Sequence, residues 1–138
     1  WGATARLLHR FDDAGHEWSN ELRYDQNGNE TSGLTLSRFA LPVGPDLYER
    51  TAQDSDQTTI GLTSAYTRPF AEGGQLRLGY ELNIQRPEQD FVFSRGPSEA
   101  GLAVVPGFSN RFEAEQTVHA WYATWERPLT EQFSAQLG

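Results

Sequence analysis

Residues 75 to 85, QLRLGYELNIQ, alternate without a break. Leu76, Leu78, Tyr80, Leu82 and Ile84 fall on one parity, and Gln75, Arg77, Gly79, Glu81, Asn83 and Gln85 fall on the other. Successive side chains of a strand point to opposite faces, so the stretch reads as a β-strand with one apolar and one polar face. Wound into a helix, the same apolar residues would scatter round the cylinder and leave no dry stripe to bury. About ten residues of such alternation let a tilted strand cross the hydrocarbon layer of a bilayer, apolar parity on lipid and polar parity on a wet lumen. The spacing therefore predicts a lipid-facing row of Leu76, Leu78, Tyr80, Leu82 and Ile84, backed by lumen-facing Arg77, Glu81 and Asn83.

The 138 residues suit one domain, and length alone permits a soluble β-sandwich. Composition favours a thinner construction. Hydrophobic residues make up only 37% and mean hydropathy is -0.63, while aromatics reach 12%, so the apolar content is concentrated in rings, as in a half-wet sheet. With no cysteine there is no disulfide framework, thiolate nucleophile or cysteine-ligated metal. A net charge of -8 opposes binding to nucleic acid, whose phosphates need a basic footprint. No run of about 18 apolar residues marks a membrane helix, a test that does not see barrel strands.

Further alternating stretches repeat the unit. Residues 3–11 place Ala3, Ala5, Leu7 and Phe11 opposite Thr4, Arg6 and Arg10, with His9 on the apolar parity. The turn residues of 12–16 follow, where Gly15 is free to take a positive φ. Residues 17–25 set Trp18, Leu22 and Tyr24 against Glu17, Ser19, Glu21, Arg23 and Asp25, with Asn20 breaking the apolar parity. From 26 to 57 the pattern dissolves into a long excursion between strands, in which GLTLSRF alternates in part and strand is expected to extend beyond the membrane at the base. It resumes over 58–70 with Ile60, Leu62, Tyr66 and Phe70, and Gly73-Gly74 then signals a tight hairpin into residues 75–85. A second long excursion runs from 86 to 115. Residues 116–128 are aromatic on both parities, and the reading favours Trp121, Ala123 and Trp125 outward. A third short turn at 128–131 leads to a sixth strand carrying Phe133, Ala135 and Leu137.

Short turn and long loop thus alternate, which in outer-membrane barrels separates a periplasmic end from an exterior end. The three short turns are expected at one end of the sheet and both long excursions at the other. Trp18, Phe70 and Trp125 then fall at the short-turn ends of their strands, where an aromatic girdle belongs.

These residues carry a family likeness. The run 111–138 resembles the barrel of TonB-dependent outer-membrane receptors, in the subgroup whose strands read as an aromatic-acidic lead, a V-x-A-x-Y core, a short turn and an F-x-x-Q-x-G strand. The matching positions are Phe112, Glu115, Val118, Ala120, Tyr122, Phe133, Gln136 and Gly138. The hairpin over 58–85 is similar to that family's consecutive strands. The resemblance implies a piece of transporter wall in the bacterial outer membrane. Its partners would be outer-membrane lipid, the remaining barrel strands and plug of the parent chain, the TonB energy-coupling system and an imported ligand. The family's plug and coupling segment have no counterpart in residues 1–138. The chain starts at Trp1 without a targeting segment and stops within an alternating pattern, so the expectation is a single barrel segment of something longer.

No catalytic constellation is read. His9, His16 and His119 share no metal-ligand spacing, no G-x-S-x-G elbow frames a nucleophile, and Gly73-Gly74 sits in a hairpin and offers no phosphate cradle. Neither a cofactor nor a metal is expected. The paired carboxylates Glu17 and Glu21 fit charged lumen groups balanced by Arg6, Arg10, Arg23 and Arg77 better than a glycosidase pair. Only the excursions hold candidate binding chemistry, and from them Asp46, Tyr48, Phe91 and Phe93 are taken as loop residues that contact a ligand, since rings supply contact area at little entropic cost. The fold expected is all-β, an antiparallel up-and-down meander of about six long strands forming part of a transmembrane β-barrel. The alternative is a soluble extracellular β-sandwich or barrel that binds carbohydrate through its loops.

Overall fold

The structure, a computed structural model, describes residues 1–40, 42–71, 73–130 and 133–138. Its strands in chain order are β1 Gly2–Arg10, β2 Glu17–Ser37, β3 Leu47–Pro69, β4 Gln75–Gly96, β5 Ala103–Val104, β6 Asn110–Glu113, β7 Gln116–Pro128 and β8 Ser134–Leu137. They form one sheet in the order β1-β2-β3-β4-β7-β8, with the short β5 and β6 both paired to β4. This is the antiparallel meander the alternation predicts, six strands along its main path, with β1 and β8 as its edges.

Turn chemistry explains where the strands reverse. Asp12 Oδ1 accepts from the backbone N–H of Ala14 at 3.0 Å and of His16 at 3.1 Å, Phe11 N–H donates to His16 O at 2.8 Å, and Gly15 takes φ 92°. In the second turn Phe70 N–H donates to Gly74 O at 2.7 Å and Gly73 takes φ 80°, a value that L side chains rarely adopt. In the third, Leu129 N–H donates to Phe133 O at 2.8 Å. The expected turns at 71–74 and 128–131 include Glu72 and Glu131, which lie outside the described residues.

The two long excursions are mostly sheet, which corrects the sequence reading. β2, β3 and β4 run for 21, 23 and 22 residues, where alternation marks only 17–25, 58–70 and 75–85. A strand alternates apolar and polar only where its two faces meet different surroundings. Over QNGNETSG and TAQDSDQ both parities are polar, so the strand leaves no period to read, although its backbone ladder continues. The second excursion folds back on β4: Glu88 to Phe91 pair with Glu113 to Asn110, and Ser94 and Arg95 pair with Val104 and Ala103. Between β6 and β7 the Ala114 N–H donates to Pro87 O at 3.1 Å. Pro87 has no N–H to return the bond, which accounts for the break in the ladder there.

The chain divides into two compact units. The first comprises Trp1–Asp25, Thr59–Gln85 and Gln116–Gly138 and contains every short turn; the second comprises Gln26–Thr58 and Arg86–Glu115 and contains both longer connections. Among the described residues no hydrophobic side chain is buried. A soluble sandwich would enclose a core between two facing sheets. One sheet with no buried hydrophobic residue among those described has no such core, so the sandwich half of the alternative finds no support in the fold.

Candidate functional site

Register decides which side chains of the first unit share a face, because residues directly opposite in an antiparallel pair point the same way. Leu76, Leu78, Tyr80, Leu82 and Ile84 lie opposite Trp125, Ala123, Trp121, His119 and Thr117, whereas Arg77, Glu81 and Asn83 lie opposite Thr124, Ala120 and Val118. At the β1 edge Ala3, Ala5, Leu7 and His9 face Tyr24, Leu22, Asn20 and Trp18, and Arg6 and Arg10 face Glu21 and Glu17. Trp18 Nε1 donates to Ser64 Oγ at 2.9 Å and His16 Nε2 lies 2.8 Å from the Tyr66 hydroxyl, so the even-numbered residues of β3 share the Trp18 face.

Charge is sorted by the same faces. Glu17, Glu21, Asp25, Glu81 and Glu126, the carboxylates within the strands of this unit, all stand on the polar face. Arg6 Nε meets Glu21 Oε2 there at 2.5 Å, and Arg23 pairs with Asp25. Tyr122 lies across Gly79 on that face: a Cβ on Gly79 would fall 1.8 Å from the ring, so only glycine lets the tyrosine lie flat. The apolar face carries rings instead. Tyr80 and Trp121 have centroids 5.3 Å apart, the Tyr80 hydroxyl is 2.9 Å from His119 Nδ1, and Trp121 is 72% exposed. Exposed aromatic surface of this kind marks a face that something apolar covers.

In the second unit ion pairs take over. Its arginines are all engaged: Arg38 with Asp46 at 3.7 Å, Arg50 with Glu99 at 3.1 Å, Arg86 with Glu115 at 2.7 Å, Arg95 with Glu49 at 2.5 Å, and Arg111 with Glu113 at 2.6 Å and Glu88 at 3.8 Å. Asp54, Asp56 and Asp90 line a shallow depression of about 130 Å³ together with Glu88, Gln89 and Arg111. Ser109 pegs the returning chain to β4, since its Oγ accepts from Phe93 N–H at 3.0 Å and donates to Val105 O at 3.1 Å.

The candidate ligand-contacting residues are not a loop cluster. Tyr48 lies on β3, and Phe91 and Phe93 lie on β4; of the four only Asp46 sits in a connection, where it pairs with Arg38. Phe93 packs edge-on against Phe108 at 5.7 Å and lies beneath the Arg95 guanidinium at 5.5 Å. Because Arg95 pairs with Glu49, Glu49 shares the Phe93 face and its neighbour Tyr48 points the other way. Phe91 is opposite Asn110. Reading 26–57 and 86–115 as loops hid this division, because parity is argued only within a strand. Asp54 and Asp56 belong to the charges already visible in the first excursion, and Asp90, outside that reading, joins them at the depression.

The comparisons with known proteins agree with this architecture. A family model described as the outer membrane protein beta-barrel family matches residues 9–138. No curated protein matches the chain.

Proposed function

The chain belongs to the outer membrane protein beta-barrel family and forms barrel wall in the outer membrane, and from that premise we propose that its parent is a TonB-dependent receptor that imports a scarce nutrient. The observation that carries the reading is strand length. β2, β3 and β4 hold 21 to 23 residues, roughly twice the 9–11 that cross a bilayer. A wall that only sealed a membrane would have no use for the rest. On this reading the first unit supplies the lipid-spanning strands, with Leu76, Leu78, Tyr80, Leu82 and Ile84 on lipid and Arg77, Glu81 and Asn83 on the lumen. The second supplies a charged, water-exposed surface that an incoming ligand meets. The partners are outer-membrane lipid, the missing strands and plug, the TonB energy-coupling system and the imported ligand. The segment performs no catalysis, takes no cofactor and contacts no nucleic acid.

The resemblance of residues 111–138 to receptor barrels supports the same assignment. It is tested by comparing growth on a panel of limiting nutrients after deleting the full-length parent or, separately, the energy-coupling protein. Both deletions should abolish uptake of the same nutrient. Parent-dependent uptake that survives loss of the coupling protein would reduce the reading to a passive barrel.

A further inference from the structure

The second unit holds a groove of its own, about 350 Å³ in volume, across β2, β3, β4 and β6. Asn27, Asn29, Ser55, Gln57 and Gln89 supply its polar lining, and Phe112, 54% exposed, supplies a ring. Register puts these side chains on one face. A Cβ on Gly28 would fall 2.7 Å from Asp56 Oδ1, and one on Gly33 would fall 3.4 Å from Thr51 Oγ1, so β2 and β3 residues of like parity stand together. The Arg95–Glu49 pair joins the odd-numbered residues of β4 to those of β3, and Gln89 lies directly opposite Phe112. Asp56 and Glu88 also border the groove, yet their carboxylates belong to the reverse face. Asp56 stands over Gly28, and Glu88 meets Arg111, which lies opposite Asp90, at 3.8 Å. The groove face therefore offers amides, a hydroxyl and a phenyl ring, none of them ionisable, while Asp54, Asp56, Glu88 and Asp90 gather behind it.

That composition selects a ligand. An anion would find no cation among these side chains and would meet the field of the carboxylates behind them, in a protein of net charge -8. A cation would gain more on the reverse face. A neutral ligand remains. Each amide both donates and accepts, as each sugar hydroxyl does, and a phenyl ring covers the C–H face of a pyranose with apolar area. A neutral peptide supplies one main-chain donor and one acceptor per residue, against several hydroxyls per sugar unit, and would leave most of these amides unmet. We infer, resting on the importer reading made above, that the nutrient is a neutral oligosaccharide and that this groove binds it, its hydroxyls held by Asn27, Asn29, Gln57 and Gln89 and one pyranose laid on Phe112.

The test titrates the purified full-length parent by calorimetry with neutral maltohexaose, cellohexaose, mannohexaose and xylohexaose, with anionic hexagalacturonate, and with hexaalanine as a neutral peptide. At least one neutral hexasaccharide should bind, and neither hexagalacturonate nor hexaalanine should. Phe112→Ala and Gln89→Ala should each weaken that binding about tenfold, the loss of one well-made contact. Phe112→Trp should retain it, which also shows that the barrel tolerates a change there, and Asp90→Asn on the reverse face should leave it within about twofold. No binding of any neutral hexasaccharide, preference for hexagalacturonate or hexaalanine, or binding unmoved by Phe112→Ala and Gln89→Ala would overturn the groove's assignment. Uptake of the bound sugar, followed in cells with and without the energy-coupling protein, separates this from the importer reading. Coupling-independent uptake would overturn the importer and leave the sugar groove standing. Coupling-dependent uptake of another nutrient, with no sugar bound, would overturn the groove and leave the importer.

Discussion

The two units are built from the same three long strands and yet hold their sheets together differently. In the first, rings and aliphatic side chains gather on one face and every strand carboxylate on the other. In the second, no such sorting of apolar side chains runs through the strands, polar stretches such as QNGNETSG leave both parities wet, and five arginines are tied into ion pairs with carboxylates. The contrast teaches that period-2 hydrophobicity is evidence of unlike surroundings on two faces, while strand formation needs only a satisfied backbone ladder.

The largest expected effect breaks or sharpens that contrast directly. Tyr80 and Val92 share a strand and a parity but belong to different units. In the full-length parent in vesicles, Tyr80→Arg should cost roughly 2–4 kcal/mol of folding stability, the penalty for arginine on lipid at mid-depth. Val92→Arg should stay within about 0.5 kcal/mol, because Val92 lines a groove with Glu30, Asp54 and Asp90. Equal costs by urea unfolding would erase the distinction between the units.

Within the first unit the polar face has its own constraint. Gly79→Val forces the Tyr122 ring away and should cost about 1–3 kcal/mol, the usual range for overpacking. The added change Tyr122→Ala should recover most of it. On the apolar face Asn20 Nδ2 is buried without a hydrogen-bond partner. Asn20→Leu should therefore raise stability by about 1 kcal/mol, and a loss would mean that the amide is hydrogen-bonded in the protein as it folds.

The smallest effect belongs to the second unit. Arg95→Gln removes the pair with Glu49, both partners at least partly exposed, and should cost about 0.2–1 kcal/mol. That cost should shrink between 50 mM and 500 mM salt as screening rises. A salt-independent loss would point to the Phe93 contact as the dominant interaction.

How much was legible follows the same division. The first unit was read closely: β7 has the expected bounds Gln116–Pro128, and the pairing of Leu76 with Trp125 and Tyr80 with Trp121 places Trp121, Ala123 and Trp125 on the same face as the Leu76 row. Gly15 and Gly73 take the positive φ that their turns require. In the second unit the sequence allows strand only at the base of the first excursion, because QNGNETSG and AQDSDQ offer neither parity a reason to be apolar. A candidate site chosen there by residue type alone gathered Asp46, Tyr48, Phe91 and Phe93, which the strands then distributed over different faces. Pairing partners 15 to 50 residues away, such as Arg50 with Glu99, leave no local signal at all.

The central claim is that the Leu76 face meets lipid. The segment has no cysteine, so Leu78→Cys and Arg77→Cys in a cysteine-free version of the full-length parent each give one site for a bimane label. Reconstituted into vesicles of brominated phosphatidylcholine, the label at position 78 should be strongly quenched and the label at position 77 should not. Equal quenching, or stronger quenching at 77, would contradict the assignment of faces and with it the account of this segment as a wall between lipid and lumen.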